Sequence, residues 1–285
     1  MWKPTISVSF EDNSVAHDCL ELSAGSRSAS CEGYEPEAVV PRGPWRAAFP
    51  EEIQMMLPRA AGEDAGRSIR VLRFPSCFLD ALWDIASRKG GFTPENARSI
   101  TSSREARAIL IDFNRFASSL PRLNGRIAAD YIHGGFCIKQ PGLKTISINR
   151  NGCFVGLHVD NWFRFAIGRR AQSPVRICAN FGSCDRFLLF INVAVDDIYS
   201  ADAVEKQDGK HVEWQKEVVN LKTPTSLARK FLQVFNDYPI TRIRVKPGEA
   251  YIAPTENIVH DGSTELGSDL DVSCHVNAQG GSDTR

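Results

Sequence analysis

The feature that most restricts this chain is a change in the period of its apolar residues near Asn124-Gly125. Before that point apolar positions recur at helical spacing, and beyond it they alternate as in half-buried strands. Upstream, residues 69–74 read as a strand, and Ser76 as the cap of a helix carrying Phe78, Leu79, Leu82, Trp83, Ile85 and Ala86 up to Gly90-Gly91. Thr93-Pro94-Glu95 reads as a second N-cap with proline at the first helical position. Ser103 opens a third helix with Ala106, Ile109, Leu110, Phe113, Phe116 and Ala117 on one face, closing before Pro121. These helices are packing elements and are assigned no chemistry.

Downstream, residues 145–149 are expected as a strand, Asn151-Gly152 as a hairpin turn, and residues 153–159 as the returning strand. Residues 175–179 and 186–193 are expected to pair with each other around Phe181-Gly182-Ser183. The polar stretch 196–223, with the charged run Glu205-Lys206-Gln207-Asp208-Gly209-Lys210, is expected as an exposed loop or a lid. Ser226 starts a helix through Phe231, Val234 and Phe235, and residues 240–245, 250–252 and 270–276 complete the strands. Residues 1–66 are rich in Ser, Gly, Pro and acidic residues. Apart from a short strand at 6–10 they are expected as an irregular segment, followed by one domain over 67–285 with flanking helices at 76–120. The fold class is α+β, helices first and antiparallel strands second.

Lysine plus arginine equals aspartate plus glutamate, 34 of each, so the formal net charge is zero. That balance carries no electrostatic signal for nucleic acid or an anionic membrane. The eight cysteines are scattered without a C-x-x-C pair, which reads as reduced thiols and not as a disulfide frame or a zinc site. Met1-Trp2-Lys3-Pro4-Thr5 has no apolar core of signal-peptide length, and no run is long enough to span a bilayer. The expectation is a cytoplasmic protein with no membrane or nucleic-acid partner, and no signal for an oligomeric state.

The chemistry concentrates in two stretches. In Gly156-Leu157-His158-Val159-Asp160-Asn161-Trp162, residues two apart share a face if the run is extended, so an imidazole and a carboxylate point the same way. Far downstream, Lys246-Pro247-Gly248-Glu249-Ala250-Tyr251-Ile252-Ala253-Pro254 reads as a turn feeding a short strand that delivers His260. Two histidines and one carboxylate form the set that holds non-haem Fe(II) on one side and leaves other coordination positions open. The same residues also suit a hydrogen-bonded pair on a polar sheet face. His17, His133 and His211 have no partners at ligand spacing. His275 shares its face with Asp271, Ser273 and Asn277, and either faces the pocket or pairs with a neighbour.

Over roughly residues 130–277 this arrangement resembles the Fe(II)/2-oxoglutarate-dependent dioxygenase superfamily. The resemblance implies a double-stranded β-helix (a jelly-roll or cupin-like core) with the N-terminal helices packed outside. It also implies His158, Asp160 and His260 as catalytic iron ligands, with 2-oxoglutarate and O2 as cosubstrates. In many members an arginine about ten to fifteen residues after the last ligand pairs with the distal carboxylate of 2-oxoglutarate. Here that window holds Asp269, Leu270, Asp271, Ser273, Cys274 and His275, and no base. Other members place the base on an earlier strand, where Arg186 stands, with Asn192 on its face by alternation. Arg186 would equally suit a strand-end charge in solvent. Arg164 shares parity with His158, Asp160 and Trp162 if the strand stays regular, and Arg169, Arg170 and Arg176 follow. Such a cluster suits an anionic substrate or the cosubstrate, or a solvated loop face. Trp162 and Phe163 suit a substrate wall or a hydrophobic rim.

Halogenating members carry a small residue where Asp160 stands, so the resemblance implies hydroxylation, desaturation or cyclisation of a small polar molecule such as an amino acid or a specialised metabolite. Two other readings remain: a cupin-type mononuclear iron oxygenase that does not use 2-oxoglutarate, and a barrel that binds a small molecule without catalysis.

Overall fold

A computed structural model describes residues 3–12, 16–29, 31–58, 64–120, 131–200, 209–221 and 223–278. The N-terminal part lays down β1 (Ser7–Phe10), α1 (Ala16–Cys19), β2 (Leu20–Ser23), β3 (Ser26–Ser28), β4 (Tyr34–Pro41) and β5 (Trp45–Ala47). It continues through α2 (Pro50–Met56), β6 (Ser68–Arg73) and the helices α3 (Ser76–Ser87), α4 (Ala97–Thr101) and α5 (Arg104–Ser119). Next come β7 (Tyr131–Lys139), β8 (Phe154–Gly156), β9 (Arg176–Asn180) and β10 (Arg186–Ala194). The chain then runs α6 (Val195–Ser200), α7 (Gly209–Val218), α8 (Pro224–Val234), β11 (Thr241–Val245), β12 (Glu249–Ala253), β13 (Ile258–Ser263) and β14 (Asp271–Ala278).

Among the described residues three sheets form, in the orders β1-β6-β12-β9-β14-β7, β13-β10-β11-β2-β5 and β3-β4-β8. Among the strands β7 to β14 the pairing is nested. First meets last (β7 with β14), third meets sixth (β9 with β12), and fourth meets fifth (β10 with β11). The chain just past β8 meets β13 through a bridge between His158 and His260. The additional ladders β9–β14 and β10–β13 roll this nested hairpin onto itself. The two large sheets remain separate ladders and do not close into a barrel.

β10 explains the layering. All of Arg186-Phe187-Leu188-Leu189-Phe190-Ile191-Asn192-Val193-Ala194 is buried, because both faces of the strand are covered. Leu188 and Phe190 pack between the two large sheets with Ile69, Val71, Tyr251 and Ile243. Phe187, Leu189, Ile191 and Val193 face the other way, against Trp214 of α7 and Leu227 and Phe231 of α8. On the opposite side of the molecule α3 and α5 cover the six-stranded sheet. Leu82, Ile109 and Phe113 pack on Ile177, Ile252, Val272 and Val276, which are the outward residues of alternating strands. The expected helices therefore do pack outside the sheets.

Ser103 caps α5 as expected, its hydroxyl accepting from the Ala106 amide. Other expectations need correction. Thr93-Pro94-Glu95 does not open a helix. Thr93 and Asn96 exchange hydrogen bonds that close a turn, and α4 starts only at Ala97. Beyond the expected strand at 6–10, here β1 running parallel to β6, the described residues up to 66 are not irregular: they also hold β2 to β5 and α2, and β2 extends the five-stranded sheet beside β11. Residues 145–149 form no strand beyond a single bridge at Ile148, because the Asp261 carboxylate takes the Ser147 amide and hydroxyl. The strands at 175–179 and 186–193 do not pair. Both edges of β10 are already used by β11 and β13, so β9 lies in the other sheet. The Asn180 side chain ties the corner between them, donating to the Cys184 and Val245 carbonyls and accepting from the Gly182 amide.

The polar stretch 196–223 holds α6 and α7, and fully buried Trp214 donates from its indole to the Ile198 carbonyl at 3.0 Å. Residues 205–208 of its charged run lie outside the described residues, as do Asn124-Gly125 and the side chain of His133. All eight cysteines are free. Among the described residues no helix is long and apolar enough to cross a membrane.

Candidate metal centre

Gly156 prepares the site. It ends β8 with a φ of 72°, and a Cβ there would lie 2.5 Å from the Val39 carbonyl oxygen of the neighbouring strand. Only glycine fits a left-handed residue this close to another backbone. Two residues on, His158 and His260 exchange both backbone hydrogen bonds, at 3.0 and 2.8 Å. Residues paired in this way project their side chains on one face of the ladder. The two ring centroids accordingly lie 4.9 Å apart. The Asp160 amide donates to the Thr255 carbonyl at 3.1 Å, which folds the chain so that the carboxylate meets both imidazoles.

Asp160 Oδ1 is 3.8 Å from His158 Nε2, and Oδ2 is 3.7 Å from His260 Nε2. One donor atom from each of the three residues lies within 4.8 Å of the others, so the group could hold a metal ion. The hydrogen bonds behind the rings agree with that use. His158 Nδ1 lies 2.8 Å from the Gly156 carbonyl oxygen and His260 Nδ1 3.2 Å from the Ile258 carbonyl oxygen. A carbonyl only accepts, so each Nδ1 carries the proton and each Nε2 presents a lone pair towards Asp160. Burial pushes the His260 imidazole down to about 3; Asp160 opposes this, while His158 and Arg176 reinforce it. His260 therefore stays neutral, the form that binds a cation. Burial alone would raise the Asp160 carboxyl, but Arg176, His260, His158 and the Thr255 hydroxyl together hold it below its ordinary value. Asp160 Oδ2 is buried and has no hydrogen-bond donor. A carboxylate oxygen held by charge without a hydrogen-bond donor, facing two imidazole nitrogens, fits a divalent cation.

Structure places the remaining candidates as follows. Arg186 lies between the sheets at 1% exposure, with Nη1 3.6 Å from Asp271 Oδ2. Arg186 Nε and Nη1 and Asp271 Oδ2 all lack hydrogen-bond partners. A Cβ on Gly262 would lie 3.5 Å from Arg186 Nη2. Gly262 is the next same-face position after His260, about 7 Å along the strand. Asn192 is not drawn into this chamber. Its carboxamide oxygen accepts from the Tyr238 hydroxyl, and it borders a separate cleft with Leu22, Met56 and Tyr238. Arg164 does not share the face of His158 and Asp160. The strand ends before it, its φ is 55°, and its side chain is exposed. His275 pairs with its neighbour, Nε2 lying 3.1 Å from the Ser273 hydroxyl.

Two arginines from the downstream cluster prove closer to the centre. Arg176 Nη1 lies 2.9 Å from Asp160 Oδ2. Buried Arg170 donates to the backbone carbonyls of Asp160 and Glu256, at 2.7 and 2.8 Å. Glu256, which the sequence did not single out, accepts the Phe163 amide at 2.6 Å and so pins the stretch after Asp160. For Arg176 a signal existed: Arg176, Cys178 and Asn180 alternate with apolar Ile177 and Ala179, so the arginine starts an inward-facing row. No protein-family model matches the chain, and no curated protein matches it either.

Proposed function

We propose that this protein is an Fe(II)- and 2-oxoglutarate-dependent oxygenase of a small molecule, built on a double-stranded β-helix. The single observation that carries this reading is the convergence of His158, Asp160 and His260 with both Nε2 atoms presented to the carboxylate. The nested pairing of β7 to β14 supports it, since that order is the order of an eight-stranded jelly roll.

His158, Asp160 and His260 would hold the iron, which when bound supplies O2 activation coupled to conversion of 2-oxoglutarate to succinate and CO2, one oxygen atom passing to the substrate. The chain does the positioning. The Gly156 and Ile258 carbonyls engage the Nδ1 atoms of the two rings and so turn both Nε2 atoms to the metal position. Arg186 would take the distal carboxylate of 2-oxoglutarate, because its buried guanidinium has unfilled donors one same-face step beyond His260. Asp160 fills the ligand position that a halide would need, which favours hydroxylation or desaturation over halogenation.

A mononuclear iron oxygenase without 2-oxoglutarate is the second reading, favoured by one observation: Asp271 already faces Arg186 at 3.6 Å. Anaerobic reconstitution with Fe(II) tests the centre. The full chain should bind close to one iron, and His260→Ala should lose most of it while keeping its circular-dichroism spectrum. Stoichiometric iron in His260→Ala would remove the assignment. Succinate formation separates the two oxygenase readings, and Arg186→Gln should raise the 2-oxoglutarate requirement at least roughly tenfold. An unchanged titration would exclude Arg186 as the clamp.

A further inference from the structure

We infer that Arg176 and Trp162 form an anchoring subsite at the mouth of the three-residue centre, and that the molecule acted on carries a carboxylate. This rests on reading His158, Asp160 and His260 as the metal centre.

Arg176 starts β9 opposite Asn277 of β14, and its Nε donates to the Asn277 carboxamide oxygen at 2.9 Å. That bond orients the guanidinium plane and leaves its Nη1–Nη2 end for another partner. Nη1 reaches Asp160 Oδ2 at 2.9 Å, yet Oδ2 counts no hydrogen-bond donor, so the contact is one of charge and not of aligned hydrogen bonding. Among the described residues Nη2 makes no hydrogen bond. The Arg176 guanidinium carbon lies 5.9 Å from the centre of the Trp162 ring. Trp162 is 68% exposed and Phe163, the next residue, 37% exposed, so aromatic surface is open to solvent beside Arg176. Their backbone is pinned from behind by Glu256. Exposed aromatic surface beside a half-engaged arginine is an expected ground plan for recognition of a small organic anion.

The charge balance adds a coupling. Without a cation, Asp160 is the counter-charge of Arg176. A divalent ion on the centre takes up that carboxylate charge and leaves Arg176 under-compensated at the mouth. Metal and an anionic ligand should therefore strengthen each other's binding, by the same factor in both directions. Once a cation takes up the Asp160 charge, the Nη1–Nη2 end of the guanidinium offers two parallel N–H groups at the spacing of a planar carboxylate, which favours that group over a tetrahedral oxyanion. A carboxylate held there brings its neighbouring carbon atoms beside the centre, because the same guanidinium touches Asp160.

The test uses the full chain loaded with redox-inert Zn(II) and saturation-transfer NMR titrations. The probes are two acid–amide pairs, 3-phenylpropionate with 3-phenylpropionamide and L-alanine with L-alaninamide, with inorganic phosphate as competitor. At least one acid should bind the zinc-loaded protein, at least tenfold more tightly than its amide, and removing zinc should weaken it roughly 5- to 150-fold. Arg176→Gln should lower acid binding to the level of the amide while keeping its zinc. Arg176→Lys, which keeps the charge and loses the fork, should fall between. Arg169→Gln, at an exposed arginine that bonds the Gln172 carboxamide, should leave acid binding unchanged.

Acid binding that survives Arg176→Gln, or that Arg186→Gln alone abolishes, overturns the assignment, because the anion would then sit on the metal or between the sheets. Phosphate displacing the acids at lower concentration overturns the carboxylate class. Zinc bound at one equivalent with neither acid binding overturns this proposal and leaves the metal centre standing. No zinc bound overturns both.

Discussion

Replacing Arg170 with methionine should cost about 3–5 kcal/mol of stability, the range for removing one partner of a buried ion pair. Arg170 is 1% exposed, and its Nη1 lies 3.9 Å from Glu256 Oε2, itself a buried orphan. Burial pulls the Arg170 guanidinium below its ordinary value and pushes the Glu256 carboxyl above its own. Both groups are thus displaced towards their neutral forms, so desolvation outweighs the mutual attraction. The pair is not itself a source of stability, but either charge alone is worse. Methionine fills most of the aliphatic volume and strands the Glu256 carboxylate, together with the Asp160 and Glu256 carbonyls and the Asn161 carboxamide oxygen. Adding Glu256→Gln removes the stranded charge and keeps an oxygen for the Phe163 amide, so the double variant should recover about 2 kcal/mol. Equilibrium urea unfolding followed by circular dichroism measures both, with equal m-values required before the free energies are compared. Because Arg170 also holds the backbone carbonyl of Asp160, zinc affinity in the single variant should fall roughly tenfold. A single variant within about 1 kcal/mol of the parent, or a double variant no better than the single, would refute the reasoning.

Two further outcomes follow from particular residues. His260 is held neutral down to about 3, against an ordinary value of 6.5 in the unfolded chain. Between those values the unfolded state binds the extra proton, so stability of the metal-free protein should fall as pH drops from about 6.5 towards 3, by up to about 5 kcal/mol from His260. His275, which burial also holds well below its ordinary value, adds to the same slope. His260→Gln should reduce that slope in urea unfolding at stepped pH and leave the His275 share; an unchanged slope would assign the proton elsewhere. Gly66→Ala should cost about 2–3 kcal/mol, read as a lowered urea midpoint. The new Cβ would lie 1.9 Å from the backbone oxygen of Ala171, which no side-chain rotation can relieve.

Local pattern is where the sequence spoke most clearly. The Ser103 cap, the strand from Arg186 and the Asn151-Gly152 turn are set by neighbours a few residues apart, and they stand where the pattern puts them. Of the short N-terminal strands, β1 falls within the expected strand at 6–10, whereas β2 escaped because four residues are too few for alternation to register. Their existence depends on β6 and β11, sequence-distant strands that give them a ladder to join.

By itself the sequence determined that helices precede an alternating β region and that an imidazole and a carboxylate stand two residues apart, with a second imidazole about a hundred residues on. What it left open was the fate of four arginines in one short stretch. Arg164 and Arg169 are exposed, Arg170 is buried against Glu256, and Arg176 meets Asp160. Only the tertiary structure decided among them, because a guanidinium reaches several ångströms in any direction from its own backbone. Which partner it meets depends on segments brought alongside from 86 positions away, as for Glu256, or 101, as for Asn277. No local period records those distances.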